Sequence, residues 1–172
     1  MPRLLSRFRA LPLVAVTSVS LVIAGAPVAA SAAPTVSAAA VKRAAVVKAQ
    51  PAKALRYAKA QIGDPYRYGA AGPSSFDCSG LTMRSYAKAG RSIGGHSASG
   101  QYRWARAHHR LVSTKHLKTG DILFYGYGSS PYHVAIYAGK GKMVESPHEG
   151  ARVRQVALRH GDLMSKASRP SR

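Results

Sequence analysis

Cys78 is the only cysteine in the chain. No internal disulfide can form, so whatever this sequence folds into must be held by a hydrophobic core alone. The residues around it, Phe76-Asp77-Cys78-Ser79-Gly80-Leu81, read as the start of a helix. Leu81, Ser85 and Ala89 fall at i, i+4 and i+8, Gly90 closes the stretch, and Asp77 is a suitable N-cap. Cys78 would then lie in the first turn, where backbone N–H groups and the helix dipole favour a thiolate. Gly80 is expected to admit a close neighbour, a packed strand.

The first 32 residues read as a signal peptide. Arg3, Arg7 and Arg9 precede an apolar run from Ala10 to Ala24, and Ala30-Ser31-Ala32 is a small-x-small cleavage site. The run is short of the roughly 20 residues that span a bilayer, so no stable membrane insertion is expected after cleavage. Residues 33–52 are rich in Ala with few large side chains and read as a flexible linker. The alternative is an Ala-rich helix running into Lys53-Ala54-Leu55-Arg56-Tyr57-Ala58-Lys59, itself the expected first helix of the domain. One domain is expected over 53–160, with one core. Residues 161–172 read as a basic tail that frays.

The formal charge is +20, or +17 without the three arginines of the leader (20 − 3). Such a field draws a protein to polyanions. An exported protein meets an anionic cell envelope before it meets nucleic acid, and no basic run with interleaved aromatics forms a nucleic-acid platform. Anionic cell-wall polymers are therefore the expected partners, with no nucleic acid. The plainer reading of the charge is solubility.

From Gly120 the pattern turns to short strands: 121–127, 133–138, 142–146 and 153–158. Ala138-Gly139-Lys140-Gly141 is a tight hairpin turn. If Tyr137 pairs with Met143, Ala135 faces Glu145, and His133 is a diagonal neighbour of Glu145 on one face. Shifting the partner strand by two residues sets them directly opposite. Alone, Glu145 reads as half of a surface salt bridge, Cys78 as a buried structural thiol, and His133 as an ordinary histidine. Cysteine, histidine and carboxylate together in an exported chain are the parts of a thiol hydrolase.

The residues resemble the NlpC/P60 family of cell-wall cysteine peptidases from about Ala58 to Val156. The resemblance rests on five stretches. They are Gly63-Asp64-Pro65-Tyr66-Arg67-Tyr68-Gly69; Phe76 to Leu81; Ser97 with Gln101; Gly120-Asp121-Ile122-Leu123-Phe124-Tyr125; and His133 to Gly139 with Gly141. It implies an α+β, papain-like fold, with N-terminal helices carrying the cysteine packed on an antiparallel sheet carrying the histidine. It implies hydrolysis of peptidoglycan stem peptides, typically between γ-D-glutamate and a diamino acid, without cofactor or metal. The cysteine maps to Cys78, the base to His133 and the variable third position to Glu145. Tyr66, Asp77, Ser79 and Ser97 are implied to line the substrate site. Departures occur at Ala70 and His96, where the family commonly has Gly and another basic or polar residue. The resemblance implies a secreted or wall-associated protein, and a monomer is expected.

Three rivals have weaker support. Ser85-Tyr86-Ala87-Lys88 and Lys118-Thr119-Gly120 mimic penicillin-binding motifs, but that fold needs a larger domain. The seven histidines lack metal-ligand spacing. A non-catalytic, cationic wall-binding module on a dead hydrolase fold would be expected to have lost one of Cys78, His133 or Glu145.

Overall fold

The computed structural model describes residues 37–172. The expected leader, residues 1–32, lies outside the described residues. Helix α1 spans Ala38–Ala60, α2 Cys78–Lys88 and α3 Ala98–Ala107. Strands follow at Leu111–Ser113 (β1), Ile122–Tyr127 (β2), Ser130–Gly139 (β3), Lys142–Glu145 (β4), Arg154–Ala157 (β5) and Lys166–Ser168 (β6). They form one antiparallel sheet in the order β1-β6-β2-β3-β4-β5.

Strand alternation sorts the core into two layers. Ile122, Phe124, Val134, Ile136 and Val144 belong to clusters that include helical Ala54, Leu55, Leu81 and Tyr86. Leu123, Tyr125, Ala135 and Met143 cluster instead with Ala167, Val112, Leu117 and Leu163 from the strands and loops. Each large side chain buried here contributes about 1.5–3 kcal/mol. With no cross-link, these two layers are what hold the fold.

Two boundaries differ from expectation. Residues 38–52, expected as part of a flexible linker, take the alternative form of an Ala-rich helix and make up the first two thirds of α1. Ala is the strongest helix former, Ser37 caps the helix by accepting from Ala40 N–H, and Pro51 is accommodated within it. Burial begins only at Gln50 and continues through Ala54, Leu55 and Ala58, the i, i+4, i+5, i+8 stripe of a packed helix.

Residues 161–172 do not form a fraying tail. Lys166–Ser168 insert as β6 between β1 and β2, with Ala167 and Ser168 buried. Arg169 donates Nε to Asp121 Oδ1 at 2.9 Å and Nη2 to Oδ2 at 2.7 Å, satisfying a carboxylate that is otherwise buried. A basic composition hid a strand because only Met164, Ala167, Ser168 and Pro170 of this segment are buried.

Candidate active site

Helix α2 begins at Cys78 because Asp77 caps it. The Asp77 carboxylate accepts from Gly80 N–H at 2.6 Å, from Ser79 Oγ at 3.0 Å and from Gly69 N–H at 2.9 Å. His96 Nε2 approaches both its oxygens at 2.9 Å. One buried carboxylate therefore fixes the helix start, the preceding loop and the segment leading into α3. Gly80 is needed for this closure, but the close neighbour is not a strand. A Cβ there would overlap the Ala70 carbonyl oxygen and sit 2.9 Å from His96 Nε2. Behind it, fully buried Gln101 of α3 donates to the Ser79 carbonyl at 2.9 Å and accepts from Thr82 Oγ1 at 2.8 Å.

The β3–β4 hairpin has the first of the two expected registers: Tyr137 pairs with Met143 and Ile136 with Val144. Gly139, Lys140 and Gly141 turn the chain with positive φ. His133 and Glu145 meet as predicted, with Nε2 2.9 Å from Oε2. This engagement leaves Nδ1 for Cys78, which is close enough to influence the ring.

The electrostatics follow from that contact. Burial of His133 works against its protonation, but Cys78 and Glu145 outweigh it and the imidazole pKa is raised. Burial likewise opposes ionisation of Glu145, yet His133 and Arg159 hold its carboxyl well below the usual carboxylate range.

Two residues that sequence reasoning missed complete this cluster. Arg154, directly across β4–β5 from Glu145, donates Nε and Nη2 to Oε1 at 3.1 and 3.0 Å. Arg159 spans the carboxylate, with Nη1 to Oε1 at 2.7 Å and Nη2 to Oε2 at 2.8 Å, and stacks 5.1 Å from the Tyr125 ring centroid. Glu145 thus accepts five bonds while fully buried. Pairing β5 with β4 from the sequence would have set Arg154 opposite Glu145. Arg159, beyond the strand, had no such signal.

Two cavities flank Cys78. One, of about 440 Å³, is lined by His133, Tyr125, Arg154, Arg159 and Asp162. The other, of about 310 Å³, is lined by Asp77, Ser79, His96 and Ser97. Tyr66 and Tyr132 border both. All four residues expected at a substrate site therefore face one cleft, although Asp77 and Ser97 also serve as helix caps. His148 and Glu149, three and four residues after Glu145, lie apart from its contacts. Glu149 accepts from Tyr68 N–H at 2.9 Å, and His148 Nδ1 is 2.9 Å from the Glu149 carbonyl.

The sequence pattern of the NlpC/P60 family matches residues 63–169. The chain belongs to the NlpC/P60 family. The protein named Probable endopeptidase p60 from Listeria grayi is 39% identical over 105 residues, which are 61% of this chain and 19% of that protein. Peptidoglycan endopeptidase RipA of Mycobacterium tuberculosis is 38% identical over 118 residues, 61% of this chain and 24% of RipA. The chain thus spans about a fifth to a quarter of the length of these relatives.

Among solved structures, RipA mutated at a glutamate superposes with a TM-score of 0.66 at 30% identity, over 73% of this chain and 64% of that one. The NlpC/P60 domain of peptidoglycan hydrolase SagA gives 0.60 at 32% identity, over 69% and 97%. The α+β architecture of helices on an antiparallel sheet is that of NlpC/P60 domains. No helix among the described residues is long and apolar enough to cross a membrane.

Proposed function

We propose that this NlpC/P60 domain is a cysteine peptidase that hydrolyses peptidoglycan stem peptides through Cys78, His133 and Glu145, at the γ-D-glutamyl–diamino acid bond. The observation that carries the reading is the His133–Glu145 contact beside a thiol at a helix N-terminus. Two relatives carry endopeptidase names. RipA has been solved with mutations at a cysteine, a histidine and a glutamate, the last two twelve positions apart, as His133 and Glu145 are.

In this mechanism neutral His133 carries its proton on Nε2, directed at Glu145, and takes the Cys78 proton on Nδ1. The thiolate attacks the carbonyl carbon, forming a C–S bond. The oxyanion is met by backbone N–H groups at the start of α2, near Cys78 and Ser79. Imidazolium Nδ1–H protonates the leaving nitrogen as the C–N bond breaks. Water, deprotonated by His133, then splits the thioester and restores the thiol. Tyr66, Asp77, Ser79 and Ser97 contribute to the acyl side of the cleft.

The protein acts outside the cell, held near the wall by its positive charge. Cys78→Ala should abolish release of peptides from purified peptidoglycan, followed by mass spectrometry, with an unchanged circular dichroism spectrum. Residual cleavage by the folded variant would refute the assignment and leave a different nucleophile to be found.

A further inference from the structure

The two cavities beside Cys78 differ in charge. The cavity at the start of α2 holds the Asp77 carboxylate and His96 and is lined by no Lys or Arg. The cavity on the other side is lined by Arg154 and Arg159.

Chemistry assigns their direction. The imidazole that deprotonates the thiol must also protonate the leaving amine, so the residue carrying that amine extends into the cavity that His133 lines. His133 lines the arginine cavity and not the other. The backbone N–H groups at the helix start, suited to the acyl oxygen, lie on the Asp77 side.

The arginines exceed what Glu145 needs. Arg159 alone bridges both carboxylate oxygens, and His133 adds a third donor. Arg154 brings a second guanidinium to an oxygen already occupied. Two guanidiniums against one carboxylate leave one positive charge in excess. Glu145 is 0% exposed, whereas the side chains of Arg154 and Arg159 are 45% and 46% exposed, so the excess faces the cavity. Arg154 Nη1 and Arg159 Nε make no protein hydrogen bond among the described residues and are free for a ligand. The same cavity carries one carboxylate, Asp162, whose Oδ2 accepts from the Tyr132 hydroxyl and whose Oδ1 is uncommitted. Cation and anion together fit a zwitterion.

We propose that Arg154, Arg159 and Asp162 form a subsite that reads the side chain of the leaving residue and selects one ending in an amino-carboxylate, as in diaminopimelate, over one ending in a bare amine or an amide. The carboxylate meets the guanidiniums and the ammonium meets Asp162. This rests on the peptidase reading above. Charged hydrogen bonds of this kind change binding by roughly ten- to a hundredfold.

The test compares three soluble substrates of the form L-alanyl-γ-D-glutamyl-X, where X is diaminopimelate, its side-chain amide, or lysine. The expected kcat/KM is roughly 10- to 100-fold higher for the free carboxylate than for either alternative, expressed mainly in KM. In Arg154→Gln that ratio should collapse to within about threefold of one. Loss of kcat from a disturbed Glu145 is common to all three substrates and cancels in the ratio. Asp162→Asn removes the partner of the ammonium that all three substrates carry and should raise KM for all three with kcat kept, and it reads the same subsite if Arg154→Gln does not fold.

Equal rates on all three substrates with wild-type protein would overturn the subsite and leave the peptidase reading standing. An unchanged ratio in Arg154→Gln, together with an unchanged KM for every substrate in Asp162→Asn, would also overturn it and reduce Arg154 to a support for Glu145. No cleavage of any substrate would bring down both.

Discussion

Replacing Glu145 with Gln keeps the side chain's size and removes one charge from a ring of donors. Counting Arg154, Arg159 and Glu145, the local charge rises from +1 to +2. An amide NH2 must also face one of the guanidiniums or the imidazole. At an effective dielectric of about 20, a carboxylate roughly 4 Å from an imidazolium is worth about 4 kcal/mol, or about 3 pH units. The half-exposed arginines can turn to water once released, which leaves a net shift of about 1–2 units. The sign is fixed: His133 without its carboxylate holds its proton less tightly. The alkaline limb of kcat/KM should therefore move to lower pH by about 1–2 units, with turnover at neutral pH lowered about 10- to 100-fold.

Removing one partner from a fully buried pair costs about 3–5 kcal/mol. Discounted for the exposed arginines, about 1–3 kcal/mol remains, a fall in Tm of roughly 4–12 °C. Because the folded-state pKa of Glu145 is depressed, its stabilisation is present above the unfolded value of about 4.3 and is lost as pH falls. The stability gap between wild type and variant should therefore narrow below about pH 4. Fluorogenic stem-peptide assays across pH, with thermal unfolding alongside, measure both. Near-wild-type turnover with an unmoved alkaline limb would refute the reasoning.

Gly80→Ala should destabilise the domain by about 1–3 kcal/mol, read by thermal unfolding, because the new methyl meets a backbone carbonyl that cannot rotate away. Arg169→Ala strands the buried Asp121 carboxylate and should cost about 2–4 kcal/mol in urea unfolding, with the active-site pH profile unchanged in shape. Retention on intact cell walls should weaken as salt rises from low to physiological strength, where screening shortens to about 8 Å. Salt-insensitive retention in a sedimentation assay would argue against a charge-driven partner.

The sequence made some of this legible and hid the rest for physical reasons. The start of α2 was readable because Asp77 is a local cap and helical spacing is short-range. The His133–Glu145 pair was readable because a tight turn fixes register and strand parity does the rest. Helix α3 was missed: its buried face includes polar Gln101 alongside Tyr102 and Ala105, and its cap, Ser97, carried a substrate-site expectation. Strand β6 was missed because three residues are too few for a period, and its partners lie some 45 and 55 residues earlier. Arg159 was invisible because nothing local distinguishes an arginine gripping a buried carboxylate from the others in a strongly basic chain.

The place of β6 in the sheet has a consequence for how the protein is made. Among the described residues, strand β1 has no partner except β6, and one edge of β2 is covered only by residues 162–168. The stretch from β3 through Arg159, which includes His133 and Glu145, leaves the ribosome first. At about 5–20 residues per second, the roughly 40 residues between β2 and β6 take some 2–8 seconds to synthesise. During that interval the nascent sheet carries an open apolar edge at Ile122 and Phe124, the kind of edge that pairs with other chains. Closure of the sheet is thus timed by the end of the domain's synthesis, and a stalled or truncated chain should be aggregation-prone even with His133 and Glu145 already made.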